Sequence, residues 1–316
     1  KRCVCEFIMR GYAAYLMRGR LQAIALVAMT AYLGLFFSPI SYLAGAAVAL
    51  VTLRLGTKEG TIVVAGSAVA IALMGMLASH HPAHGLVHML MLGIPVMMMA
   101  QLLRQTVSLP LTFQTVALIG VVIVLTIEFF GQTWVDEWRI QFEQIIGAAL
   151  EAASQQGSGV NQAELKEVMQ LLGEKMSGIL GAVFVFSQLV MLLLARNWQA
   201  KLYNPGGFSQ EFQGLKLGKT AAYISLVILL AGTLPGETGE LFSNMLGIVM
   251  VLFLMQFLAI AHAVIAHVAK SDGWLAALYV LVVIGLFAFP PLLLVMVLTG
   301  FADVWVDFRN HIKKQS

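Results

Sequence analysis

Apolar and polar residues fall in long blocks along this chain. Predominantly apolar runs occupy 21–37, 40–53, 61–78, 84–100, 109–130, 177–195, 220–234, 241–268 and 274–299. Pro39, Pro82, Pro110 and the Pro235–Gly236 turn punctuate them, because proline removes a backbone donor and glycine frees φ. A hydrocarbon core of roughly 30 Å takes about 20 apolar residues as helix. The pattern therefore predicts an all-α fold, a polytopic transmembrane helical bundle of eight to nine spans. The first two runs are short and read as tilted or kinked spans packed as a hairpin around Ser38 and Pro39. The last carries Pro290 and Pro291 at its middle, which predicts a kink or a re-entrant segment.

The polar remainder divides the chain. A basic cytoplasmic segment is expected over 1–20, transmembrane helices 1–5 over 21–130, an extracytoplasmic helical hairpin over 131–176, and helices 6–9 over 177–299 with a cytoplasmic loop at 196–219. A basic tail follows over 300–316. With the N-terminus inside, 13 of the 19 Lys and Arg residues fall on inner segments, as basic loops that stay cytoplasmic require. In the outer loop Trp134, Trp138, Phe142, Ile145 and Ala149 recur at helical spacing, then Leu165, Val168, Met169, Leu172 and Met176. Two amphipathic helices are expected there, lying on the membrane face or acting as a substrate-gating lid or partner-docking element.

Composition narrows the function. At 59% hydrophobic and 11% charged, the chain is far from the roughly 25% charged residues of a soluble protein. The formal charge of +3 is too small for a nucleic-acid partner, so the lipid bilayer is the first partner. Cys3 and Cys5 alone make neither a disulfide framework nor a zinc site. Met9 and Met17 each open a Met-Arg-Gly triplet, so residues 1–8 carry no weight. With no signal-peptide cleavage pattern, the first helix is expected to be retained. The chain has no phosphate-binding loop, no His-Glu-x-x-His and no Gly-x-Ser-x-Gly elbow. The expectation is no enzyme, no cofactor and no ATPase of its own.

Candidate chemistry comes from polar groups in apolar surroundings, where a central charge costs about 2.5–3.5 kcal/mol on insertion scales. Glu128 is the lone acid of its run, near the outer end, where it either snorkels or works. Gln114, Gln188, Gln256 and His262 lie deeper, as cavity lining or as interhelical hydrogen bonds. His80, His81, His84 and His88 cluster at the outer turn between the third and fourth apolar runs. His84 and His88 share a helix face, so the group is either interfacial or a transition-metal site. Small residues four apart, Gly45 with Ala49, Gly66 with Ala70 and Ala68 with Ala72, favour close packing within the bundle or against a partner.

The most distinctive stretch is the inner loop from Arg196 through Trp198, Tyr203, Asn204, Pro205, Gly206, Gly207 and Phe208. Asn-Pro-Gly-Gly is a tight turn, and the aromatics read as a membrane-surface belt or as a docking loop for a membrane or cytosolic protein. Arg-x-Trp-Gln-Ala followed by Leu-Tyr-Asn-Pro-Gly-Gly-Phe, with Met-Arg-Gly-Arg-Leu-Gln-Ala at 17–23, resembles the YybS-like family of predicted bacterial membrane proteins, whose function is unknown. The resemblance covers 17–300 and implies a multi-pass protein of the bacterial inner membrane. That family is distantly similar to the S components of energy-coupling factor transporters, which capture small solutes and rely on a partner subunit and separate ATPases. S components usually have fewer spans than expected here. The functional expectation is a component that binds or transports an unknown small solute; the alternative is a non-transporting scaffold or regulator.

Overall fold

In a computed structural model the chain is described over residues 2–77, 82–131, 173–268 and 273–310, with scattered positions between 133 and 147. No strand occurs among the described residues. The helices are α1 (Arg2–Leu16), α2 (Arg20–Gly34), α3 (Ser41–Leu55), α4 (Thr57–Leu77), α5 (Pro82–Thr106), α6 (Leu109–Phe130), α7 (Met176–Tyr203), α8 (Gly207–Gln213), α9 (Lys219–Ala231), α10 (Glu237–Val268), α11 (Gly273–Phe287) and α12 (Pro290–Val306). A bilayer offers backbone N–H and C=O groups no water, and a helix satisfies them within one segment. Turn chemistry sets the boundaries. Ser108 caps α6 by accepting from the Leu111 N–H, and Gly56 turns α3 into α4 at φ 97°.

Among the described residues, six stretches are long and apolar enough to cross a membrane: Ser38–Leu55, Thr57–Leu77, Ala83–Thr106, Leu109–Phe130, Met176–Tyr203 and Glu237–His267. The count becomes seven if α11 and α12, bent by 118°, are one broken span. Among the described residues this falls short of the eight to nine spans expected. Helices α2 and α9 have 15 and 13 residues, roughly 22 and 20 Å at helical rise, short of the hydrocarbon core. The final run folds back at Pro290. Positions described between 133 and 147 are helical, whereas 148–172, the second half of the expected outer hairpin, lies outside the described residues.

Helix α7 is the hub, packing against α1, α3, α5, α6, α8 and α10. Its N-terminal half approaches closely because side chains are missing. A Cβ at Gly178 would collide with the Asn244 backbone of α10, and one at Gly181 would stand 2.6 Å from Val124 of α6. On α6, Gly120 makes the reciprocal approach to Val185. The small residues singled out in the sequence also pack inside the bundle, with Gly45 against Met191 and Gly66 against Ile24.

The opposite end of the bundle is held by a buried polar knot. Asp303 accepts from Arg309 Nη2 at 3.0 Å, Gln256 Nε2 at 3.2 Å and the Phe308 N–H at 2.9 Å. Arg309 also donates to the carbonyls of Gln213 (2.7 Å) and Leu215 (2.6 Å), and Gln256 Oε1 accepts from the Leu217 N–H at 2.8 Å. One ion pair thus ties the end of α12 to the segment 213–217 and to mid-α10. Removing one member of a buried pair strands the other charge, at about 3–5 kcal/mol, whereas replacing both with apolar groups is often neutral. Asp303→Leu is therefore expected to lower the melting temperature sharply, and Asp303→Leu with Arg309→Met to recover most of the loss. Thermal unfolding in detergent checks this.

Candidate functional site

Three helix ends meet at the face opposite the knot. Glu128 lies two residues before the end of α6, Ser177 is the second residue of α7, and Asn244 is in the second turn of α10. The close approach at Gly178 brings them together. Glu128 Oε1 accepts from Ser177 Oγ and from Asn244 Nδ2, the latter at 2.7 Å. Asn244 Nδ2 also lies 3.5 Å from the Glu174 carbonyl. Asn244 Oδ1 is buried and has no hydrogen-bond partner among the described residues.

The position of Glu128 is electrostatically unusual. A helix C-terminus carries partial negative charge and disfavours a carboxylate, while an N-terminus favours one. Glu237 and Glu240, in the first turn of α10, follow that rule. Glu128 runs against it and is held by two side-chain donors from other helices. Together these groups wall a cavity of about 660 Å³, which Asp136, Glu174, Glu237 and Glu240 also line. Ile127, Phe129, Val135 and Leu241 supply its apolar surface. Neighbouring Lys175 donates to Ser243 Oγ at 2.6 Å.

The other polar residues of the spans go elsewhere. Gln256 is fully buried and uses both ends of its amide in the knot. Gln188 is buried, its Oε1 without a partner among the described residues, and Gln114 is half-buried. His262 bonds to the Leu258 carbonyl at 2.8 Å and to the Tyr279 hydroxyl at 3.2 Å, its ring edge-on to Phe212. None of these four lines the acidic cavity. A second cavity of about 490 Å³, beside the knot, is lined by Gln213, Lys216, His267, Asp307 and Arg309 among others. There Lys216 bonds to Asp307 and holds its carboxyl below the usual range.

His88 is half-buried on α5 and sits 3.2 Å from Ser41 Oγ of α3, while His84 is exposed. His80 and His81 lie outside the described residues. Among the described residues no three His, Cys, Asp or Glu side chains are placed to hold a metal ion.

The inner loop is folded onto the bundle. Arg196 pairs with Glu211 at 2.7 Å, Trp198 is 1% exposed with its ring 5.1 Å from Tyr12 of α1, and Arg54 lies 4.3 Å above the Tyr203 ring. Asn204, Pro205 and Gly206 are exposed. Gly206 takes φ 86° at the start of α8, Gly207 stands against the Asn204 side chain, and half-buried Phe208 stacks on Phe212.

Sequence reasoning found Glu128 and missed its partners Ser177 and Asn244, as well as Asp303 and Arg309. Asp303 carries the same signal as Glu128, a lone acid among apolar neighbours, just past the last run.

A family model described as predicted membrane protein (DUF2232) matches residues 22–304. The chain belongs to this family. The DUF2232 match takes in Glu128, Ser177, Asn244, Gln256 and Asp303 and stops short of Arg309. No curated protein and no solved structure matches the chain. DUF2232 membership and the long apolar helices together make this a multi-pass membrane protein of a family without an assigned function.

The burial of Trp198 separates it from its exposed neighbour. Trp198→Ala is expected to cost about 3–5 kcal/mol of stability, as for large aromatic truncations in cores, and Tyr203→Ala less than half as much. Denaturation of the two purified variants measures the difference.

Proposed function

We propose that this chain is a membrane-embedded component that binds a small solute in the cavity walled by Glu128, Ser177 and Asn244, and that it draws any transport energy from a gradient or a separate ATPase. The observation carrying this reading is the placement of Glu128: a carboxylate at the disfavoured end of its helix, held by two donors from other helices, at the wall of a cavity of about 660 Å³. Concave pockets of a few hundred cubic ångströms with convergent polar groups are the usual form of small-molecule sites, and this one is unusually polar, with five carboxylates in its wall. The absence of a phosphate-binding loop from the sequence supports dependence on an outside energy source.

The resemblance to the YybS-like family, and through it to S components, agrees with this reading. Six long apolar helices bring the span count closer to that of S components. We place the cavity on the outer face of a bacterial inner membrane and the N-terminus inside, because Arg20, Arg54, Lys58, Arg104, Arg196 and Lys201 gather at the opposite end. The scaffold alternative has less support, since Trp198 is buried and Arg196 is engaged within the loop.

Native mass spectrometry of the full chain, purified from its own membranes in mild detergent, tests the proposal against a variant with exposed Thr238 at the cavity wall changed to Trp. A small molecule bound to the wild type and lost from Thr238→Trp, with melting temperature unchanged, is the expected result. No bound molecule, together with protein capture abolished by Tyr203→Ala and Phe208→Ala, would replace it with the scaffold reading.

A further inference from the structure

We infer that His262 is a proton-operated latch, which holds α11 against α10 when the ring is neutral and lets it go when the ring gains a second proton. The inference is independent of the cavity reading and concerns another part of the bundle. Helix α11 is thinly attached. Of its 15 residues Leu278 and Gly285 are buried, and Gly285 stands against Leu293 of α12. Apart from Trp274, Tyr279 carries the only polar side-chain group on this helix. Its hydroxyl meets His262 Nε2 of α10 at 3.2 Å.

The geometry fixes where the protons are. His262 Nδ1 lies 2.8 Å from the Leu258 carbonyl, and a carbonyl only accepts, so Nδ1 carries the proton of the neutral ring. Nε2 is then a bare acceptor, and the Tyr279 hydroxyl donates to it. A second proton turns Nε2 into a donor. The Tyr279 oxygen can turn to accept it, but the hydroxyl proton then points among the exposed side chains of Val280, Leu281 and Val283, none of which accepts. In apolar surroundings a donor without an acceptor is costly, so the protonated state disfavours the contact that the neutral state makes.

Nothing near the ring compensates a charge placed on it. Its described contacts are the Leu258 carbonyl, Tyr279 and the edge-on ring of Phe212 on α8. The ionisable groups at this end of the bundle are engaged elsewhere or stand apart. Glu211 of α8 pairs with Arg196, Asp303 of α12 with Arg309, and Lys216 with Asp307. Lys219 is exposed at the start of α9, and His267 lies five residues further along α10. Lys270 and Asp272 are outside the described residues. Attraction between an imidazolium and the Phe212 ring keeps His262 on α8 and leaves its tie to α11 broken. Because the ring is half-buried beside the inner loop, protons reach it from the face that we place inside.

The test uses the purified full chain in lipid nanodiscs, with nitroxide labels on Val283→Cys of α11 and Val122→Cys of α6, both exposed positions, after Cys3→Ser and Cys5→Ser. Pulsed electron paramagnetic resonance reads the distance between the labels from pH 8 to pH 5, the interval in which imidazole changes charge. A second distance population whose share grows at least about threefold on acidification is expected. His262→Gln, which does not titrate, is expected to give the same distribution at every pH. Tyr279→Phe is expected to show the second population already at pH 8, and His267→Gln to respond as the wild type does. A wild type indifferent to pH, a His262→Gln variant that still responds, or a response lost in His267→Gln would overturn the inference. Should His262→Gln fail to fold, Tyr279→Phe decides: a distribution matching the wild type at pH 8 would overturn it equally.

Discussion

Missing side chains at Gly120, Gly178 and Gly181 allow α7 to lie against α6 and α10 with backbones nearly touching. Within lipid the gain from helix association comes from van der Waals packing and interhelical hydrogen bonds, since lipid tails are as apolar as leucine. Close approach is therefore the main route to both. It seals the centre of the bundle, and at one face it draws three short polar side chains from three helices into contact. With bulkier residues on α7, neither Ser177 nor Asn244 would reach Glu128 at the C-terminal end of α6.

Much of the architecture was legible in the order of apolar runs and helix breakers. The all-helical class, the hairpin turn at Ser38 and Pro39, and the break at Pro290 all follow from local chemistry. Span number did not, because a run's length in sequence overstates its length as helix. Residues 21–37 include a turn after Gly34, and 220–234 lose their last residues to the turn before Pro235. Glu128 stood out as a lone acid. Its partners did not, since Ser and Asn are unremarkable at helix starts and the contacts span 49 and 116 residues. Gln256 was visible as a buried amide, yet its work depends on Leu217 and Asp303, 39 and 47 residues away. Trp198 read as an interfacial aromatic because nothing in its own neighbourhood announces that α1 covers it.

One helix joins the two polar regions. With 32 residues, α10 is about 48 Å long at helical rise, well beyond the hydrocarbon thickness. It carries Asn244 near its beginning, Gln256 further along and His262 towards its end. The buried ion pair of Asp303 and Arg309 fixes the far part of this helix to the segment 213–217 and to α12. At its other end the backbone close to Asn244 packs against Gly178 of α7, so both polar regions bear on the same rod.

The fold-back at Pro290 has a further physical meaning. A helix starting inside lipid exposes its first N–H groups without acceptors, and proline has none to expose. Two prolines opening α12 therefore lower the energetic barrier to reversing direction within the hydrocarbon. Helices α11 and α12, roughly 22 and 25 Å long from 15 and 17 residues, meet at 118°, and each is shorter than the roughly 30 Å hydrocarbon core. Proline at the break thus supplies the turn without adding backbone donors that lipid could not satisfy.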